Sequence, residues 1–220
     1  MRRPARNLFG LSLCQVLLLF VGDVTADNHR FATVPAVANI TLGDRESGTL
    51  QYIVIQLDTE PQHRGPIIVF SERARGSAVS DDWKEGARVA VTAAADVVGE
   101  DPRNWMLTIK NAGNTIFSRG SSASSVLAVG VILAARGEKP RPGVALTGVL
   151  LPDGRIGEVG GLLGKLEGVA AANLHTFLIP RGQGRTTEWD LFELGRQRNI
   201  TVIEVRSVRE AYELMTARRP

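Results

Sequence analysis

The run Ser124–Arg136, SSVLAVGVILAAR, constrains this chain more than any other stretch. At helical spacing it is apolar on nearly every face, and such a helix has to be buried all round. Gly137 fits as the residue that closes it, with Pro140 and Pro142 just beyond. A chain of 220 residues is long enough for one domain with a sizeable core around this helix. Only 5% of the residues are aromatic, so that core is expected to be aliphatic.

Around the central helix the pattern switches between periods of two and 3.6. Residues 27–48 read as an extended, turn-rich entry. TLQYIVIQLD (49–58) alternates and is β-branched, which predicts a strand. IIVFSE is a second strand across the EPQHRGP turn, and the two are expected to form a hairpin. Asp81 and Asp82 open an alanine-rich helix that ends at Gly99. WMLTIKN is a strand. GVALTGVLLPDGRIGEVGG reads as a strand, a Pro-Asp-Gly turn and a short return. A helix over 162–174, the strand HTFLIP, a helix over 187–199, the strand ITVIEV and a closing helix capped by Ser207 complete the chain. The predicted fold is mixed α/β (α+β), one domain over 27–220, with β-hairpins followed by alternating helices and strands.

The N-terminus reads differently. MRRPARN carries arginines and no acid, LFGLSLCQVLLLFV is almost wholly apolar, and small residues precede Asp27. This is the pattern of a secretory signal peptide over residues 1–26, cleaved after Ala26. An uncleaved membrane anchor over residues 8–21 is the alternative; that run is short for a spanning helix, which needs about 20 residues. Either way the rest of the chain is expected outside the cytoplasm, periplasmic, secreted or anchored. Arg2, Arg3, Arg6 and Asp23 fall in this segment, so the mature net charge drops from +3 to +1. With no basic stripe interleaved with aromatics, nucleic acid is not an expected partner. Cys14 is the chain's one cysteine and leaves too, which removes disulfides, thiol catalysis and cysteine–metal sites. His29, His63 and His175 stand without a motif around them, so neither a histidine triad nor a metal site is expected, and no cofactor. Two sequons occur, Asn39-Ile-Thr and Asn199-Ile-Thr.

Two positions could carry chemistry. Lys165 lies three residues after Leu162 and four before Val169, on or beside the apolar stripe of its helix. Buried there, its ammonium would be costly and its pKa depressed, leaving a neutral basic amine. At the edge of the stripe it would instead snorkel to water. SRGSSASS (118–125) precedes the buried helix, where unpaired N–H groups and the helix dipole favour negative charge. A serine there is either a nucleophile beside an oxyanion-stabilising environment or, as Ser121, Ser122 or Ser124, a simple helix cap.

The order of these residues resembles the proteolytic domain of Lon-type serine proteases, a Ser–Lys dyad family. The family's Asp-Gly-Pro-Ser-Ala-Gly corresponds to Arg119-Gly120-Ser121-Ser122-Ala123-Ser124, its Met-Thr-Gly to Leu146-Thr147-Gly148, and its Gly-Gly-Leu-Lys-Glu-Lys to 160–165, which is Gly-Gly-Leu-Leu-Gly-Lys here. The offsets from Ser122 to Thr147 and to Lys165 match without a gap. The resemblance implies that Ser122 is the nucleophile and Lys165 its general base. Thr147 would orient the lysine, and the backbone at Gly120, Ser122 and Ala123 would stabilise the oxyanion. It also implies protein or peptide substrates and, since Lon-type domains assemble as rings, a homo-oligomer.

Departures accompany the match. Arg119 stands where the family has an acid, Ser121 replaces its proline and Ser124 its glycine. No G-x-x-x-x-G-K-[ST] sequence occurs. The expected activity is an ATP-independent serine endopeptidase acting on flexible or unfolded proteins. The alternative is a non-catalytic Lon-like binding or scaffold module.

Overall fold

The computed structural model describes residues 29–42, 45–72, 78–113 and 117–216. In chain order the strands are β1 (Arg30–Leu42), β2 (Arg45–Thr59), β3 (Ile67–Phe70), β4 (Ala78–Val79), β5 (Trp105–Ala112), β6 (Phe117–Ser118), β7 (Val144–Leu146), β8 (Val149–Leu150), β9 (Ile156–Gly157), β10 (Thr176–Pro180) and β11 (Thr201–Val205). The helices are α1 (Asp81–Val98), α2 (Ser124–Arg136), α3 (Leu162–Ala171), α4 (Leu191–Arg196) and α5 (Val208–Thr216).

One mixed sheet organises them, in the order β11-β10-β7-β1-β2-β5-β3. Alternation along its strands sends side chains to two separate cores. Val34, Ala36, Ile53, Ile55, Leu107 and Leu146 point to one face and pack beneath α1, α2 and α5. Val37, Ala145, Phe177 and Ile179 point to the other and pack against Leu162, Leu166 and Val169 of α3 and Leu191 of α4. As expected, α2 is enclosed: every residue from Ser124 to Ala134 is buried. Gly130 lets it lie directly on the sheet, since a Cβ there would stand 2.5 Å from Ile55 Cδ1 and 3.0 Å from Val34 Cγ2. Gly137 closes the helix with φ 65°, as its place in the sequence suggested.

The strand pairing corrects two expectations. The entry segment is not a turn-rich lead but the long strand β1, which pairs with β2 antiparallel from Arg30↔Leu57 to Leu42↔Arg45. The hairpin is therefore β1–β2. β3 does not pair with β2; it lies parallel to β5, with Ile67 opposite Met106. Pro35 and the polar residues of β1 hid its period, and only pairing with β2 fixes it as a strand. Two helices are shorter than read: α3 stops at Ala171 because Asn173 turns left-handed (φ 54°), and α4 begins only at Leu191, where Asp190 accepts the N–H groups of Phe192 and Glu193. Ser207 caps α5, accepting the Glu210 N–H at 3.3 Å.

The Pro152-Asp153-Gly154 turn joins β8 to β9 as foreseen. The strand before it is broken, though. β7 belongs to the main sheet, and the chain leaves it at Thr147 and Gly148. Among the described residues no helix is long and apolar enough to cross a membrane. The signal-peptide or anchor reading of residues 1–26 lies outside the described residues.

Candidate active site

The break after β7 is where the first site residues meet. Thr147 N–H donates to Leu178 O (3.0 Å), keeping the chain on the sheet for one more residue. Gly148 N–H turns instead to Ser122 O (2.9 Å), and Ser125 N–H donates back to Gly148 O (3.2 Å). The Thr147 hydroxyl donates to the same Ser122 carbonyl at 3.4 Å. Ser122 and Thr147, 25 positions apart in sequence, thus share one backbone junction.

Residues 118–125 reach this junction through a sharp bend. Gly120 has φ 83° and ψ 150°, a region that essentially only glycine enters. A short 3-10 turn over Ser121–Ala123 follows, then α2. The cap is not the one expected: Ala123 holds the N-cap position and no serine side chain caps α2. Ser124 works inward instead. It is 1% exposed, its hydroxyl donates to Ser121 O (2.7 Å), and it accepts the Leu150 N–H (2.7 Å). One hydroxyl therefore ties the turn to β8. Ser124→Ala should orphan the buried Leu150 N–H and cost about 1–3 kcal/mol of stability. A chemical-denaturation midpoint unchanged from the parent protein would contradict that assignment.

Helix α1 braces the same turn from outside. A Cβ on Gly86 would stand 3.1 Å from the Cβ of Ser124 and 3.5 Å from that of Ser121. At the start of α1 the Asp82 carboxylate accepts from the Ser80 hydroxyl, which above all holds its carboxyl below the ordinary aspartate value, and the nearby Gly120 amide acts in the same direction. An acid does border the loop, then, although Arg119 occupies the place where the sequence pattern expects one; it comes from another element. The sequence showed Asp82 only as a helix-start acid.

Lys165 sits on the opposite side of the sheet, on α3. It is 3% exposed and does not snorkel. Its stripe neighbours Leu162, Leu166 and Val169 are buried with it. Burial alone lowers the Lys165 pKa from 10.5 to about 8. Glu167, the other charge on α3, faces away and pairs with Arg198 at 2.6 Å. Thr147 is 1% exposed and follows Ala145 and Leu146 in the β7 alternation, so it shares the α3-facing side with Ala145. The parallel register Ala36↔Leu146 sets it level with Val37 of β1, on that same side. Among the described residues no hydrogen bond joins the Ser122 hydroxyl to the Lys165 amine in this structure.

α3 can approach so closely because glycines meet there. A Cβ on Gly48 of β2 would overlap the Gly164 carbonyl oxygen and stand 2.7 Å from the Gly168 nitrogen.

The Lon protease (S16) C-terminal proteolytic domain matches residues 80–216, more than half of the chain and all of the junction just described. The chain belongs to this Lon protease family. Among curated proteins, none matches it. Membership makes the protein a serine peptidase domain whose substrates are proteins or peptides. The mixed sheet with helices on both faces is thus the Lon-type fold in this chain, and β1, β2, β3 and β4 all lie before the matched region.

The histidines lie apart from this Lon-type junction: His29 pairs with Asp58, and His175 Nδ1 lies 3.1 Å from Thr176 Oγ1. The two sequons part company. Asn199 is exposed in a left-handed turn (φ 57°), whereas the Asn39 side-chain oxygen is buried against α3.

Proposed function

We propose that this chain is an ATP-independent endopeptidase in which Ser122 is the nucleophile and Lys165 the general base. The observation that carries the reading is Lys165 itself: an enclosed ε-amine with burial as the cause of its lowered pKa, on the helix facing the strand end that touches Ser122. A serine hydroxyl attacks an amide only when a base takes its proton, and a lysine serves as that base near neutral pH only when desolvated.

In the first half-reaction neutral Lys165 accepts the Ser122 Oγ proton as Oγ bonds to the scissile carbonyl carbon. The N–H groups of Ser122 and Ala123, in the 3-10 turn after Gly120, have no partner within that turn and would take the developing oxyanion. The Lys165 ammonium then protonates the departing amine as the C–N bond breaks, leaving an ester on Ser122. In the second half, water attacks the ester, Lys165 takes its proton and returns it to Ser122 Oγ, and the carboxylic acid leaves. The direct Ser122–Lys165 hydrogen bond forms when substrate seats the serine, since catalytic hydrogen bonds tighten on binding. Thr147 anchors the Ser122 carbonyl and limits the loop to that approach.

No nucleotide enters this chemistry, so the substrates are flexible or already unfolded segments. The basic and apolar pattern of residues 1–26 supports an activity outside the cytoplasm, with residues 8–21 either removed or retained as an anchor, and the family resemblance favours a homo-oligomeric ring. The absent Ser122–Lys165 bond and Arg119 in the acid's place favour a second reading, a Lon-like module that binds proteins without cutting them. Incubating an unfolded protein without ATP separates the two. The proposal expects cleavage by the parent chain and none by Ser122→Ala; equal cleavage by both, or by neither while the substrate is bound, contradicts it.

A further inference from the structure

Asn39 is the polar side chain whose position the proposed mechanism does not use. It lies on β1 opposite Gly48 of β2, on the sheet face that carries α3. Its carboxamide fills the space left by two glycines of α3's first turn. A Cβ on Gly161 would fall on Asn39 Nδ2 and stand 2.6 Å from its Cγ, and a Cβ on Gly164 would stand 3.0 Å from its Oδ1. That oxygen is buried and has no hydrogen-bond partner among the described residues. A buried acceptor without a partner keeps the full penalty of its desolvation, so its place there calls for a partner in some state of the protein.

The helix geometry supplies one. A helical side chain leans toward the N-terminus, over the residue four before it. For Lys165 that residue is Gly161, the one Asn39 is pressed against. The titratable and charged groups around Lys165 offer no competitor among the described residues. Glu167 pairs with Arg198, and on α4 Glu193 pairs with Arg196. Among the described side chains of β1 and β2 on this face, Val37, Asn39 and Leu50 lie nearest, with Gly48 opposite Asn39, and none of these is titratable; Tyr52 follows further along β2 and is exposed.

We propose that Asn39 is a positioning residue that accepts a hydrogen bond from the Lys165 ammonium, the state Lys165 enters on taking a proton. Its catalytic consequence rests on the dyad reading: the neutral amine is left free to act as base, and the ammonium, once formed, is held at the first turn of α3. Asn39 thereby offsets part of the desolvation that burial imposes on the charged form.

The test reads the lysine directly. The chain has four lysines, Lys84, Lys110, Lys139 and Lys165, and in full-length protein labelled with 13Cε-lysine the Lys165 signal is the one lost in Lys165→Met. Asn39→Ala should lower the Lys165 pKa by about half to one pH unit, through loss of the acceptor. Asn39→Asp should raise it by at least about one unit, through a carboxylate in the same place. Should Asn39→Ala not fold, the near-isosteric Asn39→Leu makes the same prediction. A Lys165 pKa unmoved in a folded apolar variant overturns the proposal. Peptidase activity is not needed for this readout. If Ser122→Ala cleaves like the parent chain, the dyad reading falls while the titration still decides the Asn39–Lys165 contact.

Discussion

Lys165→Met is expected to lower peptide hydrolysis by at least about 10⁴-fold while making the protein more stable. The two effects have one origin. Burial holds the Lys165 pKa near 8 in the folded chain, against 10.5 for a solvated lysine. At neutral pH the folded protein therefore carries an ammonium in an enclosed site, at a cost of about 3 kcal/mol. Methionine keeps the length of the stem and removes the charge, so most of that cost should be recovered in a denaturation experiment. An ordinary core residue would lose stability on substitution; a residue retained for chemistry gains it.

The pH dependence follows with a fixed sign. Below about pH 8 the folded and unfolded chains both hold the Lys165 proton, and the penalty is present in full. Between about pH 8 and 10.5 the unfolded chain still holds the proton that the folded chain has released, so stability rises with pH across this window. The rate of hydrolysis should rise through the lower end of the same window, because in the proposed dyad only the neutral amine would accept the Ser122 proton. In Lys165→Met the stability increment across the window should be gone. A parent protein whose stability falls monotonically from pH 7 to 10, with Lys165→Met no more stable, would contradict the buried-amine account.

The second large effect is expected at Gly48. Alanine there would drive its Cβ into the Gly164 carbonyl and against the Gly168 nitrogen, both backbone atoms that cannot rotate away. α3 must move as a body, at about 3 kcal/mol or more. Lys165 moves with it, and a displacement of about 1 Å is worth about 10²-fold in rate. Gly160→Ala is the control: its Cβ would meet nothing within 4 Å, and its backbone needs no special conformation. That variant should stay within about 0.5 kcal/mol of the parent and keep its activity. Similar losses in both variants would show that α3 is not seated through Gly48.

The contrast between these glycines shows what the sequence could and could not express. The all-apolar α2 and the gapless spacing from Ser122 through Thr147 to Lys165 are local or linear patterns that the sequence shows directly, whereas periodicity puts Lys165 only on or beside its stripe. The snorkelling alternative for Lys165 was settled only by packing, which closes α3 against β1 and β2. The segment of β1 reads as extended but turn-rich, because its strand depends on pairing with β2 rather than on its own alternation. Asp82 and Asn39 were legible only as a helix-start acid and a sequon, since their places at Gly120 and at Gly161 are set by elements far away in the chain. A serine before an apolar run, as at Ser121, Ser122 or Ser124, is usually a cap, but the Ser124 hydroxyl bridges Ser121 and Leu150 inside the protein instead.

The dyad itself is tested most directly by covalent labelling. A fluorophosphonate reacts with an activated serine Oγ, displacing fluoride and leaving a phosphonyl ester that peptide mapping can locate. The account predicts a single adduct on Ser122, formed at a rate that climbs through about pH 8, and no adduct in Lys165→Met. Labelling of Ser122 at the parent rate in Lys165→Met, or an adduct confined to another serine, would contradict it.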